Sequence, residues 1–324
     1  MDFFGLLTQS LVSPAILFFL FGTLIGLLKT DLQIPKSISK FLSLYLIIAI
    51  GFKGGVALAS LSVLTLQIAL LFLISIVLSL LLPFIAYFFL SRTTKLDRAT
   101  AAALAAHYGS VSIITFITAG SFLKAEGLSY AGYLVAILAV MEAPAILSGI
   151  YLARTTNHQT SEQKISLISA FRTNGCLLLL FCSFFIGWLT GEPGFLKIKG
   201  FFDTPFQGIL CLFLLDMGLL VANQLEYLKD FTWSLLLFGL YMPLVGASLG
   251  LLTSYALGLD VGTGTMFMVL CSSASYIAVP AAMRLAITQA KAAIYLPMAL
   301  AITFPFNVIC GIPLYYGIAL LILG

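Results

Sequence analysis

From Leu11 to Leu323 the chain is a succession of ten apolar runs, separated by short stretches that hold almost all of its charges. The runs lie at roughly 11–28, 38–60, 64–90, 98–122, 130–153, 167–190, 203–222, 231–256, 261–287 and 292–323. About 20 apolar residues carry a helix across the hydrocarbon core, where every backbone polar group must be satisfied within the structure. The pattern predicts an all-α polytopic membrane protein with ten transmembrane helices. Composition agrees, at 61% hydrophobic and 9% charged residues, where soluble domains carry about 25% charged. Ten crossings use up the 324 residues, which excludes a cytosolic enzyme. The 16 basic and 12 acidic residues, net +4, are too few and scattered for a nucleic-acid surface. Cys176, Cys182, Cys211, Cys271 and Cys310 lie in apolar runs without CxxC or Cys/His spacing and read as packing residues. The opening MDFFGLL has neither a basic segment nor a small-residue cleavage site, so no cleaved signal peptide is expected.

Lys and Arg are spread unevenly over the connections. Those between spans 1–2 (Lys29, Lys36, Lys40), 3–4 (Arg92, Lys95, Arg98), 5–6 (Arg154, Lys164, Arg172), 7–8 (Lys229) and 9–10 (Arg284, Lys291) hold twelve. The opposite side holds three, Lys124, Lys197 and Lys199. The positive-inside rule makes the richer side cytoplasmic and places both termini outside. The 5–6 connection, residues 154–166, is polar and falls at the midpoint, so the halves are 1–153 (spans 1–5) and 167–324 (spans 6–10).

These halves repeat each other. Residues 96–119 align without a gap over 259–282, an offset of 163, matching Leu96/Leu259, Asp97/Asp260, Thr100/Thr263, Ser110/Ser273, Ser112/Ser275, Ile114/Ile277 and Ala119/Ala282. The same offset puts Lys53 on Asp216, Gly55 on Gly218 and Ala59 on Ala222. Five is an odd number of spans, so the second copy enters the membrane upside down, the build of secondary transporters.

Where the repeat is strongest, mid-span is poorest in membrane-like residues. GSVS (109–112) and CSSAS (271–275) place small polar residues there, and Pro280 follows the second cluster. One such cluster reads as close helix packing, as Gly22xxxGly26 and Gly246xxxGly250 do. Two at symmetry-related positions read as breaks in spans 4 and 9 that cross at the midplane. Half-helix N-termini then offer free N–H groups and positive dipole ends, each about half a charge, to an anion. Carbonyls and hydroxyls nearby suit sodium as the coupling ion; the residues imply no cofactor and no other metal.

Three ionisable residues cannot be assigned to the connections: Lys53, Glu142 and Asp216. At the bilayer centre each costs about 2.5–3.5 kcal/mol unless partnered. Lys53 and Asp216, equivalent in the repeat, are expected to form a neutralising pair, the alternative being that Asp216 serves the cation or Lys53 the anion. Glu142 precedes Pro144, which frees a backbone carbonyl, and is either satisfied by such groups or a coupling-ion ligand. Thr115 and Asn307 complete the candidate cation ligands with Glu142 and Asp216. His107, beside the first break, is either simply hydrogen-bonded or a proton relay.

At HYGSVSIITF, VMEAPAI, FLLDMGLLVA and SASYIAVPAAMRLAI the chain resembles the sodium-dependent bicarbonate transporters of cyanobacteria, the SbtA family. The resemblance covers both halves. It implies a core domain of spans 3–5 and 8–10 and a gate domain of spans 1, 2, 6 and 7, assembled as a homotrimer in the plasma membrane and importing bicarbonate with sodium. Carried onto this chain, it implies an anion site at Gly109, Ser110, Val111 and Ser112 with Ser272, Ser273, Ala274 and Ser275. It also implies a PII-like regulatory protein on the cytoplasmic face, against which the short connection between Tyr151 and Ile165 weighs, because better-known relatives carry a long segment there.

The leading expectation is a sodium-coupled bicarbonate symporter that moves its core past its gate like an elevator. Symport of another small organic anion would share the architecture. A sodium/proton antiporter wants acidic residues at the crossing, and the two clusters supply none. An intramembrane hydrolase built on Ser110 or Ser112 with His107 lacks an orienting carboxylate and leaves the repeat unexplained.

Overall fold

The computed structural model describes residues 14–60, 65–154, 175–225, 231–276 and 278–324, and all the regular structure among them is helical. The connection expected at 154–166 lies, apart from Arg154, outside the described residues. The helices are α1 Pro14–Leu27, α2 Lys36–Ala59, α3 Leu66–Thr93, α4 Arg98–Gly109, α5 Ile113–Ala125, α6 Leu134–Arg154, α7 Gly175–Phe202, α8 Phe206–Leu225, α9 Trp233–Leu257, α10 Val261–Ser272 and α11 Ala278–Ala286. A last helix, α12, runs Ala292–Leu323 through two π-helical stretches, Met298–Thr303 and Asn307–Gly311.

Seven segments among the described residues are long and apolar enough to cross a bilayer: Lys36–Val56, Leu66–Thr93, Arg98–Ala125, Leu134–Ala153, Phe206–Asn223, Trp233–Leu257 and Ala292–Leu323. Shorter apolar helices are α1 and α10. Phe21, Leu73, Leu189 and Leu237 stand exposed on α1, α3, α7 and α9, as a bilayer-facing surface requires. The chain is an all-helical, polytopic membrane protein.

Two sets of helices pack chiefly among themselves. In one, α1 lies along α8 and α2 along α7, with α2 also touching α8. Their contact is backbone to backbone. A Cβ on Gly55 of α2 would stand 1.9 Å from the Phe184 carbonyl oxygen, and one on Gly218 of α8 would stand 2.2 Å from that of Phe19. Only glycine permits this approach. In the other set α3, α4 and α6 pack together, α10 packs on α9 and α12, and α11 lies on α6. Between the sets run thinner contacts, among them Gly54 against Val135, an edge-to-face pair of Phe19 and Phe304 at 5.5 Å, and a 3.2 Å hydrogen bond from Gln207 to Ser121.

Local chemistry fixes where the fourth and ninth apolar runs begin. Asp97 accepts the Thr100 N–H at 2.9 Å and Asp260 accepts the Thr263 N–H at 2.9 Å, each satisfying one orphan donor of a first turn. Their threonine hydroxyls then accept an N–H from a segment distant in sequence, Thr100 from Lys291 and Thr263 from Ala131, both at 3.1 Å.

Candidate functional site

The fourth run is helical to Gly109, extended over Ser110–Ser112, and helical again from Ile113. Gly109 is held against Pro83 and the Ser79 carbonyl of α3, where a Cβ would come within 2.3 Å of the proline ring. Ser112 caps α5 by accepting the Thr115 N–H at 3.2 Å and the Thr115 hydroxyl at 2.9 Å. In the ninth run α10 ends at Ser272, Ser273–Ser275 are without helix, and α11 starts at Ala278. Ser275 takes the Val279 N–H at 3.4 Å.

The two breaks are bonded to each other. Ser112 N–H donates to the Ser273 hydroxyl at 3.0 Å, and Ser275 N–H donates to the His107 carbonyl at 2.9 Å. The second bond satisfies one of the last-turn carbonyls that every helix leaves without an internal partner. Asn307, in a π-helical stretch of α12, satisfies another, donating to the Ser272 carbonyl at 3.0 Å while its oxygen accepts from Tyr315 at 2.8 Å. All of this is enclosed by protein: the apolar window of Arg98–Ala125 is 100% buried. Irregular backbone is tolerated at membrane depth only under such cover.

Not every polar atom at the crossing is used. Ser110 is 1% exposed and its hydroxyl has no partner among the described residues, although its equivalent, Ser273, is engaged. Glu142 on α6 is 2% exposed, and its Oε2 has no partner among the described residues. It adjoins Met141, whose carbonyl accepts from Ser79, and Ser79 in turn backs onto Gly109. His107 is fully buried, with Nδ1 on the Ala103 carbonyl at 2.7 Å and Nε2 without a hydrogen-bond partner among the described residues. That bond fixes the proton on Nδ1, so Nε2 is an acceptor. At the crossing stand first-turn N–H groups of α5 and α11 and last-turn carbonyls of α4 and α10, and the buried Glu142 carboxyl belongs to the residue after Met141, which Ser79 ties to the α3 segment behind Gly109. Such a set can hold a small anion and a hard cation side by side. No group of three or more His, Cys, Asp or Glu comes together among the described residues.

A family model for the Na+-dependent bicarbonate transporter superfamily matches residues 14–320. The chain belongs to that superfamily. No curated protein matches it. As a member of a transporter family it is not an enzyme, and sodium and bicarbonate are the solutes its family handles.

For this transporter chain, the structure gathers Gly109, Ser110, Val111 and Ser112 with Ser272, Ser273, Ala274 and Ser275 into one crossing, with Thr115 and Asn307 bonded to it. It separates Lys53 from Asp216. Lys53 bonds to Asp203 at 2.5 Å, lies 4.7 Å over the Phe206 ring, and is 27% exposed. Asp216 is buried, takes a hydrogen bond from Ser39, and lines a cavity of about 910 Å³ with Lys29, Lys36 and Asn223. Ser39 and Lys53 are fourteen residues apart on α2, about 21 Å at 1.5 Å per residue. The expected pair is therefore corrected to Lys53–Asp203. Its Lys53 bond, with Lys124 and Lys199 nearby, holds the Asp203 carboxyl below the usual carboxylate range despite partial burial. Sequence reading missed Asp203 because it stands at the head of an apolar run, in FFDTPF, and its only signal was the pair of lysines just before it. It also missed the buried chain in which the Tyr108 hydroxyl pairs with Thr303 at 2.7 Å and Thr303 donates to the Gly239 carbonyl at 2.9 Å.

Proposed function

We propose that the chain is a symporter that carries bicarbonate inward with sodium, holding both at the crossing of the two breaks. The observation that carries this is the interlock itself, Ser112 N–H on Ser273 and Ser275 N–H on the His107 carbonyl, inside a fully enclosed span. Bicarbonate meets the positive ends of α5 and α11 with the Ser110 hydroxyl. Sodium takes the remaining last-turn carbonyls of α4 and α10, with Thr115 and Glu142 as its candidate hard-oxygen side chains.

The ten-span inverted repeat, 1–153 over 167–324, has support in matched contacts. Gly55 meets Phe184 and Trp188 where Gly218 meets Phe19 and Thr23. Thr100 accepts from Lys291 where Thr263 accepts from Ala131. Pro83 backs Gly109 where Gly246 backs Cys271 and Ser272. On this reading α3–α6 and α9–α12 form the core and α1, α2, α7 and α8 the gate. The core carries both breaks, so it cannot release its substrate by parting from itself. It slides against the gate as one body, within a homotrimer in the plasma membrane whose termini face outward.

Labelled bicarbonate taken up by proteoliposomes only under an inward sodium gradient is the expected result. Uptake indifferent to sodium would reject symport. In a background without the native cysteines, Ser121→Cys with Gln207→Cys, cross-linked across the seam, should halt uptake until reduced. Full cross-linking with normal uptake would reject the sliding core.

A further inference from the structure

A cavity of about 360 Å³ opens on the seam between the two helix sets, with Lys53, Asp203 and Gln207 on one wall and Ser121, Lys124 and Tyr130 on the other. At about 30 Å³ per water it has room for a small anion that keeps part of its hydration. The charges there are unbalanced. Asp203 is paired with Lys53, and Lys124 and Lys199 also act on its carboxylate. Lys124 forms no ion pair among the described residues. The lining side chains alone, Lys53 and Lys124 against Asp203, carry one net positive charge; the negative end of the α5 dipole offsets about half of it, and Glu126, the C-cap of α5, stands two residues from Lys124.

Its location gives that charge a use. Lys124 is in the last turn of α5, eleven residues and about 16 Å from Ile113, which opens that helix at the crossing. The loop counts assign only Lys124, Lys197 and Lys199 to the outer face, and two of those three lie around Asp203. A surface otherwise poor in cations concentrates them at the outer mouth of the seam. A positively lined cleft raises the local concentration of anions.

We propose that this seam cavity is an external docking site for bicarbonate, with Lys124 as its charge and the Ser121, Tyr130 and Gln207 side chains as hydrogen-bond partners, occupied before the anion reaches the crossing. The identity of the anion rests on the reading of the chain as a bicarbonate importer; the cavity's preference for anions does not.

Two readouts on the full-length protein test it separately. In sodium-driven uptake Lys124→Gln should raise the KM for bicarbonate about two- to fivefold, the worth of one charge at an exposed site, with Vmax and the sodium KM unchanged and Lys124→Arg restoring the wild-type value. In the background without native cysteines, Ser121→Cys should react faster with a negatively charged methanethiosulfonate than with a neutral one of similar size. Bicarbonate should slow the reaction, and adding Lys124→Gln should abolish the preference. A labelling preference that Lys124→Gln leaves intact overturns the docking site whatever the kinetics. So does an unchanged bicarbonate KM, or a fall in Vmax alone, in a protein that transports. If the wild type shows no bicarbonate uptake yet the preference disappears with Lys124→Gln, the transport reading fails and the anion site stands.

Discussion

Ser110 and Ser273 are equivalents in the two halves, yet replacing each by alanine should have opposite consequences. The Ser273 hydroxyl accepts the buried Ser112 N–H at 3.0 Å and donates to the Leu270 carbonyl at 3.1 Å. Ser273→Ala leaves that N–H without an acceptor in a site shut off from water, which costs about 1–3 kcal/mol. The Ser110 hydroxyl is equally buried and has no partner among the described residues. Ser110→Ala therefore removes a group whose burial is itself unfavourable by about 1–3 kcal/mol, and folding should be as stable as before or more so. If that hydroxyl binds the substrate, the loss appears in transport. One hydrogen bond of about 0.5–1.5 kcal/mol corresponds to a rise in bicarbonate KM of about two- to tenfold. Thermal unfolding in detergent and sodium-driven uptake in proteoliposomes, run on both variants, separate the two effects. A clear fall in Tm for Ser110→Ala, or an unchanged bicarbonate KM, would refute the assignment of Ser110 as a hydroxyl kept free for the ligand.

Gly55→Ala and Gly218→Ala should each lower Tm by a similar amount, because each Cβ meets a carbonyl oxygen of the facing helix within 2.2 Å and forces the pair apart; such overpacking costs about 1–3 kcal/mol, and a tolerated alanine at either position would contradict the close approach. Asn307→Leu frees the Ser272 carbonyl and the Tyr315 hydroxyl together, so unfolding should shift down and sodium-driven uptake fall with it. Lys53→Met or Asp203→Asn alone should cost less than about 1 kcal/mol, since both side chains are over a quarter exposed, and in a double-mutant cycle the losses should be less than additive. The Asp203 carboxyl is held below its unfolded value, so its contribution is complete above about pH 4 and disappears as pH falls through the lowered value; wild type should show this acid loss and Asp203→Asn should not.

What the chain could tell unaided was periodic or local. Runs of apolar residues mark spans whatever packs against them, Asp97 and Asp260 mark helix starts by capping their own first turns, and GSVS and CSSAS mark the breaks because two clusters of small polar residues recur at matched mid-span positions. The 163-residue offset added that the breaks are a matched pair. Partners across space were another matter. Lys53 and Asp216 hold equivalent positions at that offset, but equivalence alone does not bring residues together: under the proposed two-fold axis in the membrane plane, any residue away from the midplane would go to the opposite face, and only residues on the axis would meet their equivalents. Depth along the axis is set by helix tilt and by which helix lies alongside, and neither is written in a linear pattern. The same holds at the crossing. Sequence makes Ser110 and Ser273 alike, and only the way Ser275 N–H turns to the His107 carbonyl instead of the Ser110 hydroxyl leaves one of them bound and the other free.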